Sequence, residues 1–82
     1  MSRDEVMEKV RQHLAAELEV RPDDIQEGTR FREDLDADSL DLYELVMELE
    51  DSYGIRMSEE EAARIETVGQ AVDFVLQHVP ST

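Results

Sequence analysis

Residues 34–41 read Asp-Leu-Asp-Ala-Asp-Ser-Leu-Asp, a stretch that places one serine among four carboxylates where an irregular segment gives way to a helix. Ser39 can act there either as the helix cap or as an exposed hydroxyl for a covalent attachment. The preference of serine for cap positions favours the first from spacing alone. Residues 33–51 contain nine Asp or Glu and no Lys or Arg. The partner of this segment is therefore expected to be basic.

The residues after this stretch predict a helix that is capped by Asp38 or Ser39 and runs to about Tyr53, where Gly54 supplies a left-handed stop. A helix turns by about 100° per residue, which gathers apolar side chains on one inner face. These side chains are Leu42, Leu45, Val46, Leu49 and Tyr53.

The opposite side of this helix carries a second apolar strip, which is rimmed by acids. It consists of Leu40 and Met47, flanked by Glu44 and Asp51, with Tyr43 and Glu50 at its edge. Single exposed apolar residues are normal on proteins, so this acid-rimmed strip would not by itself mark an interface.

Three further helices are predicted from capping patterns and apolar periodicity. They cover about residues 3–18, 58–64 and 67–79, the last ending before Pro80, and their capping boxes pair Ser2 with Glu5, Ser58 with Glu61, and Thr67 with Gln70. A long connection over residues 19–38 is expected to hold a turn of helix near Asp23 and Asp24. Because no alternating strand pattern occurs, the predicted class is all-α, with three longer helices and one short helix.

Length and composition restrict the function. The 82 residues are expected to form one domain, 1–82, with a small core. The chain contains no cysteine, and its formal charge of -14 makes nucleic acid and anionic membranes poor partners. No apolar run is long enough to span a membrane, and the N-terminus lacks the layout of a signal peptide, so the cytoplasm is the expected location.

Metal and enzyme chemistry find little support. Asp34, Asp36 and Asp38 match positions 1, 3 and 5 of a calcium-binding EF-hand loop, but Ser39 stands where glycine is needed and Leu45 where glutamate is needed. His13 and His78 have no partners at metal or catalytic spacing, and surface positions are expected for both. Carboxylates in so small a domain should be solvated. We therefore predict no metal site and no enzyme.

The run from Phe31 to Asp41, with Glu44-Leu45-Val46-Met47 and Tyr53-Gly54-Ile55, closely resembles the acyl carrier proteins of dissociated bacterial fatty acid synthesis. The likeness continues through Ile65, Thr67 and Val68. It implies a four-helix bundle with a short third helix and a long loop between helices one and two. It also implies that Ser39 carries 4'-phosphopantetheine, attached by a phosphopantetheinyl transferase, whose thiol holds acyl groups as thioesters.

The resemblance further implies a monomer that docks on basic patches of ketosynthase, acyltransferase and reductase enzymes. The docking residues carried over are Asp38, Leu40, Asp41, Glu44, Met47, Glu50, Asp51 and Met57. The acyl chain would enter the bundle along Leu45, Val46, Leu49, Ile65, Val68 and Val72, residues that could equally be ordinary core.

The sequence departs from the family pattern at three positions. Asp36 stands where glycine is common, and Leu42 and Tyr43 replace smaller residues. These differences bear on the pathway, so a carrier for a polyketide or another specialised acyl product is an alternative to fatty acid biosynthesis. A more distant alternative is an unmodified acidic interaction domain or a calcium-responsive domain.

Overall fold

The computed structural model describes residues 2–79, which form four α-helices. Their order is α1 (Arg3–Leu18), α2 (Ser39–Tyr53), α3 (Glu59–Arg64) and α4 (Val68–His78), with a 3₁₀ turn at Pro22–Asp24. The predicted all-α class, the short third helix and the turn near Asp23 are confirmed. The expected stop at Pro80 lies outside the described residues. No helix over residues 2–79 is long and apolar enough to cross a membrane.

The helix ends lie at the capping residues that the sequence predicts. Reciprocal capping boxes open α3 and α4, as predicted from Ser58 and Thr67. At α1 one half of the predicted box is present, in which the Glu5 amide donates to Ser2 Oγ at 3.2 Å. Gly54 ends α2 with a φ of 65°, and this left-handed conformation suits a residue without Cβ.

The core lies between α1, α2 and α4, and each of these helices contributes an apolar stripe. Its fully buried side chains include Val6, Val10, Leu14, Ile25, Phe31, Leu45, Leu49, Val68, Val72 and Val75. Burial of apolar area of this kind is the main favourable contribution to folding. Two of these residues, Ile25 and Phe31, belong to the long connection, so the connection is held partly by its own core side chains.

Backbone hydrogen bonds attach the long connection to the start of α4. The Phe31 amide donates to the Glu66 carbonyl at 3.0 Å, the Val68 amide to the Thr29 carbonyl at 2.9 Å, and the Gly69 amide to the Glu27 carbonyl at 2.7 Å. An isolated antiparallel bridge joins Arg30 to Thr67 in the same place. The segment leading to Ser39 is therefore fixed on the α3–α4 junction.

Candidate functional site

Ser39 is the first residue of α2, and Asp38 is the residue that caps the helix. The Asp41 amide donates to Asp38 Oδ1 at 3.0 Å, and the Asp38 amide donates to Asp41 Oδ2 at 3.1 Å. Because Asp38 and Asp41 form this capping box, the Ser39 side chain is not needed as a cap. The choice between a cap and a free hydroxyl, open in the sequence, is decided against the cap.

The turn before Ser39 is shaped by its acids and by one buried alanine. The Arg30 amide donates to Asp34 Oδ2 at 2.8 Å, which lowers the pKa of Asp34 with further help from the Arg30 side chain. Asp36 adopts a φ of 55°, a left-handed conformation that costs most residues about 1–2 kcal/mol and costs glycine almost nothing. Ala37 is buried and donates its amide to the Phe31 carbonyl at 2.9 Å. Ser39 thus comes directly after a turn fixed to the core.

The Ser39 side chain is exposed and contacts the guanidinium of Arg32, whose Nη2 donates to Ser39 Oγ at 3.3 Å. The amides of Ser39 and Leu40 have no hydrogen-bond partner within residues 2–79. Free amides at a helix N-terminus and a guanidinium are groups that proteins use to bind phosphate. Arg32 and these amides can therefore bind a negatively charged substituent on this hydroxyl, against the repulsion of the neighbouring Asp38 and Asp41 carboxylates.

One cavity is lined by Ser39, and a second cavity shares part of the lining of the first. The smaller, of about 80 Å³, lies between α2 and α3 and is lined by Arg32, Ser39, Leu42, Tyr43, Glu59, Ala62 and Ala63. The larger, of about 270 Å³, is lined by Arg30, Phe31, Arg32, Glu33, Leu42, Ala63, Ile65 and Glu66. Both are lined by Arg32, Leu42 and Ala63. A chain attached at Ser39 therefore has apolar surface next to its attachment point.

Of the six residues predicted to line an acyl pocket, Ile65 borders the larger of these cavities. The other five are packed in the interior with exposed fractions of 7% or less, and they are Leu45, Val46, Leu49, Val68 and Val72. In this structure these five residues are core side chains. Their role in holding an acyl chain stays a prediction.

The acid-rimmed strip of α2 is exposed as predicted. Within residues 2–79, Leu40, Tyr43 and Met47 are the exposed large hydrophobic residues, with exposed fractions of 65%, 44% and 60%. Among the acids carried over for docking, Asp38 and Asp51 are exposed and Asp41, Glu44 and Glu50 are half-buried. Met57 is 8% exposed, and its amide donates to Glu50 Oε2 at 2.9 Å. Met57 therefore adds little accessible surface to the strip.

A cluster of carboxylates joins α1 to α2 at a place that the sequence did not indicate. Glu17, Asp41 and Glu44 each have one carboxylate oxygen that lies within 4.8 Å of those of the other two. Hydrogen bonding to Glu44, desolvation and the charges of Glu44 and Asp41 raise the pKa of Glu17 to about 7. Glu17 is exposed, as expected for the carboxylates of so small a domain, but its pKa departs from the ordinary value because two helices bring the three groups together.

Sequence reasoning also missed Arg32 and misplaced His13. Arg32 immediately precedes the nine-acid segment, and its place as the last cation before that segment was the available signal. His13 is half-buried, and its Nε2 is enclosed without a hydrogen-bond partner within residues 2–79. His78 is exposed, as expected, with its ring stacked on Phe74 at a centroid distance of 3.9 Å.

Comparison with known proteins gives a consistent result. A family model described as a phosphopantetheine attachment site matches residues 8–75. The chain is 46% identical over 78 residues to an acyl carrier protein of Rubrobacter xylanophilus, covering 95% of this chain and 96% of that protein. It is 44% identical over 78 residues to an acyl carrier protein of Lactobacillus acidophilus, covering 95% and 98%. The solved acyl carrier protein of Enterococcus faecalis is similar with a TM-score of 0.80 at 39% identity, covering 94% of this chain and 98% of that one.

Proposed function

Because the chain belongs to the acyl carrier protein family, we propose that Ser39 is the residue that carries its 4'-phosphopantetheine arm. The observation that carries this proposal is the exposed hydroxyl at the first position of α2, left free because Asp38 caps the helix. When attached, the arm supplies the thiol that this cysteine-free chain lacks, and acyl groups are held on that thiol as thioesters.

The residues around Ser39 fit a phosphate-linked group. The Arg32 guanidinium and the free amides of Ser39 and Leu40 can bind phosphate oxygens, and the cavities along Leu42 and Ala63 offer apolar surface to the rest of the arm. Asp38 and Asp41 oppose the binding of an anion here. Their carboxylates are engaged with backbone amides in the capping box, which leaves the Ser39 hydroxyl accessible.

The proposed work of the protein is delivery, without catalysis by this chain. The acid-rimmed strip of α2 supports docking on basic surfaces of acyl-processing enzymes, since rim charges raise the encounter rate and three exposed apolar side chains add modest affinity. A phosphopantetheinyl transferase and the ketosynthase, acyltransferase and reductases of fatty acid biosynthesis are the proposed partners. We place the protein in the cytoplasm, as one acyl-carrier domain over residues 1–82.

The choice of pathway rests on the residues that border the cavities. Leu42 lines both cavities and Tyr43 lines the smaller one, so these bulky side chains restrict the space beside Ser39. A polyketide or other specialised acyl pathway is the second candidate, because Leu42 and Tyr43 replace the smaller residues that the family often has at these positions. Mass spectrometry of the protein isolated from its own cells, which reads the attached acyl group directly, distinguishes the two.

The attachment site is tested with coenzyme A and a broad-specificity phosphopantetheinyl transferase. The wild-type protein should gain the mass of one phosphopantetheinyl group, and Ser39→Ala should gain none. Ser52→Ala is the matched control, because Ser52 is an exposed serine on the same helix, and it should be modified like the wild type. An unchanged wild-type mass would favour an unmodified acidic interaction domain.

A further inference from the structure

We propose that Arg32 is a positioning residue that binds the phosphodiester of the arm on Ser39 and fixes the start of the arm at the mouth of the two cavities. This inference rests on the proposed attachment at Ser39. Arg32 would neutralise the negative charge of the arm's phosphodiester and set the direction in which the arm leaves Ser39.

The geometry places the guanidinium at the atom that would be esterified. Arg32 Nη2 lies 3.3 Å from Ser39 Oγ, the oxygen to which the phosphorus of a phosphodiester would be bonded. A guanidinium presents several donors in one plane and pairs with two oxygens of a phosphate at once. A side chain that already reaches Oγ in the unmodified protein needs little rearrangement to reach oxygens on the adjacent phosphorus.

The neighbouring charges make Arg32 the cation available for this task. Arg30, two residues earlier, is engaged with Glu33 and Asp34. Arg32 makes no ion pair within residues 2–79, and no Lys or Arg follows it until Arg56. A phosphodiester on Ser39 adds one negative charge beside Asp38 and Asp41 in a chain whose formal charge is already -14. Like charges on neighbouring residues repel each other, so a cation at the site offsets this unfavourable electrostatic free energy.

The same side chain borders the space that the arm would enter. Arg32 lines the cavity of about 80 Å³ next to Ser39 and also the cavity of about 270 Å³ beyond Leu42. With the phosphodiester bound to Arg32, the rest of the arm would start on the α2–α3 side of Ser39. Without that contact, the arm would leave Ser39 with its direction set by repulsion from the acids of α2.

The test compares the melting temperature of each protein before and after attachment of the arm. Wild type, Arg32→Gln and Arg32→Lys are modified to completion, and every sample is checked by mass. Arg21→Gln is the control, since it removes the same charge from an exposed ion pair with Asp24 on the 3₁₀ turn. Attachment should lower the melting temperature of Arg32→Gln by about 2–5 °C more than that of wild type or of Arg21→Gln. Arg32→Lys keeps the charge without the planar fork of donors, so its change in melting temperature should lie between those of wild type and Arg32→Gln.

A second readout is the ³¹P chemical shift of the attached phosphodiester. It should differ between wild type and Arg32→Gln, and it should be the same in wild type and Arg21→Gln. Equal changes in melting temperature and equal ³¹P shifts in all fully modified proteins would overturn the role of Arg32. Failure of the wild type to gain the arm would instead overturn the attachment at Ser39, so the two outcomes are distinguishable.

Discussion

At the scale of single residues, Gly69 is a position in α4 that accepts no side chain without rearrangement. A Cβ built there would lie 2.9 Å from the Glu27 carbonyl oxygen, the same atom that accepts the Gly69 amide at 2.7 Å. Gly69→Ala should therefore move the loop away from α4 and lower the free energy of unfolding by about 1–3 kcal/mol, despite the better helix propensity of alanine. Urea denaturation followed by circular dichroism measures the change.

Gly28 supplies the matched control for this substitution. It lies in the adjoining loop, where an added Cβ would have nothing within 4 Å, and its φ is not in the left-handed region. Gly28→Ala should leave stability unchanged or raise it by up to about 1 kcal/mol, because alanine reduces the freedom of the unfolded chain. If both variants lost equal stability, the close approach at Gly69 would not be the cause.

Residue identity alone predicted some features of the site and not others. Local preferences offered Asp38 and Ser39 as caps of α2 and favoured Ser39 from spacing alone, whereas the structure forms the cap from Asp38 and Asp41 and leaves Ser39 exposed. The left-handed φ of Asp36 could be suspected only from the family's usual glycine, since aspartate tolerates this conformation without demanding it. The contact of Arg32 with Ser39 depends on the path of the loop. Side-chain identity alone does not predict that path.

At the scale of helices and loops, regular elements were predictable and their mutual contacts were not. Caps and 3.6-residue periodicity predicted all four helices because both signals are local. The amides of Phe31, Val68 and Gly69 hold the loop to the α3–α4 junction by donating to the carbonyls of Glu66, Thr29 and Glu27, and all of these groups are backbone groups. Their partners could therefore not be read from side chains.

The contact between α1 and α2 predicts an unusual pH dependence. Glu17 has its pKa raised from 4.5 to about 7 beside Glu44 and Asp41, so the folded state binds a proton there more tightly than the unfolded chain does. The stability from this group is full below about pH 4.5 and is lost as the pH rises toward 7. Glu17→Gln, which keeps the neutral form at every pH, should be more stable than wild type above pH 7. The gain should shrink as the pH falls toward 4.5.

Thermal melts of both proteins from pH 4.5 to pH 8 test this. Glu60→Gln, which removes an exposed carboxylate of α3 outside the cluster, shows the general effect of one fewer charge. Acids with lowered pKa values have the opposite effect on the pH dependence of stability. Hydrogen bonding to Arg3 lowers the pKa of Glu27, and that stability is lost as the pH falls below the unfolded value. A Glu17→Gln gain that did not change with pH would contradict the proton-linked contact.

At the scale of the whole molecule, several of the few cations form ion pairs between different helices and loops, while α2 remains strongly negative. Arg3 joins three parts of the fold, because its guanidinium on α1 pairs with Glu27 of the loop and Asp73 of α4. Lys9 pairs with Glu48 across α1 and α2 at 3.6 Å. By contrast, Asp38 and Asp51 are exposed next to Leu40 and Met47. The face of α2 that exposes apolar side chains thus lies in a segment, residues 33–51, that has nine acids and no Lys or Arg.

This arrangement predicts that association with basic enzymes is steered by charge. Asp51→Lys reverses one charge on the acid-rimmed strip, and it should slow modification by a phosphopantetheinyl transferase roughly threefold to tenfold at about 10 mM salt. The difference should become small above about 150 mM salt, where the Debye length falls from about 30 Å to about 8 Å. Initial rates at low protein concentration measure the association step.

Asp23→Lys makes the same change in net charge on the exposed 3₁₀ turn outside the strip, so it separates the effect of position from that of total charge. If the two variants slowed the reaction equally, net charge alone would explain the rate. If Asp51→Lys slowed it equally at all salt concentrations, Asp51 would act by direct contact and not by steering.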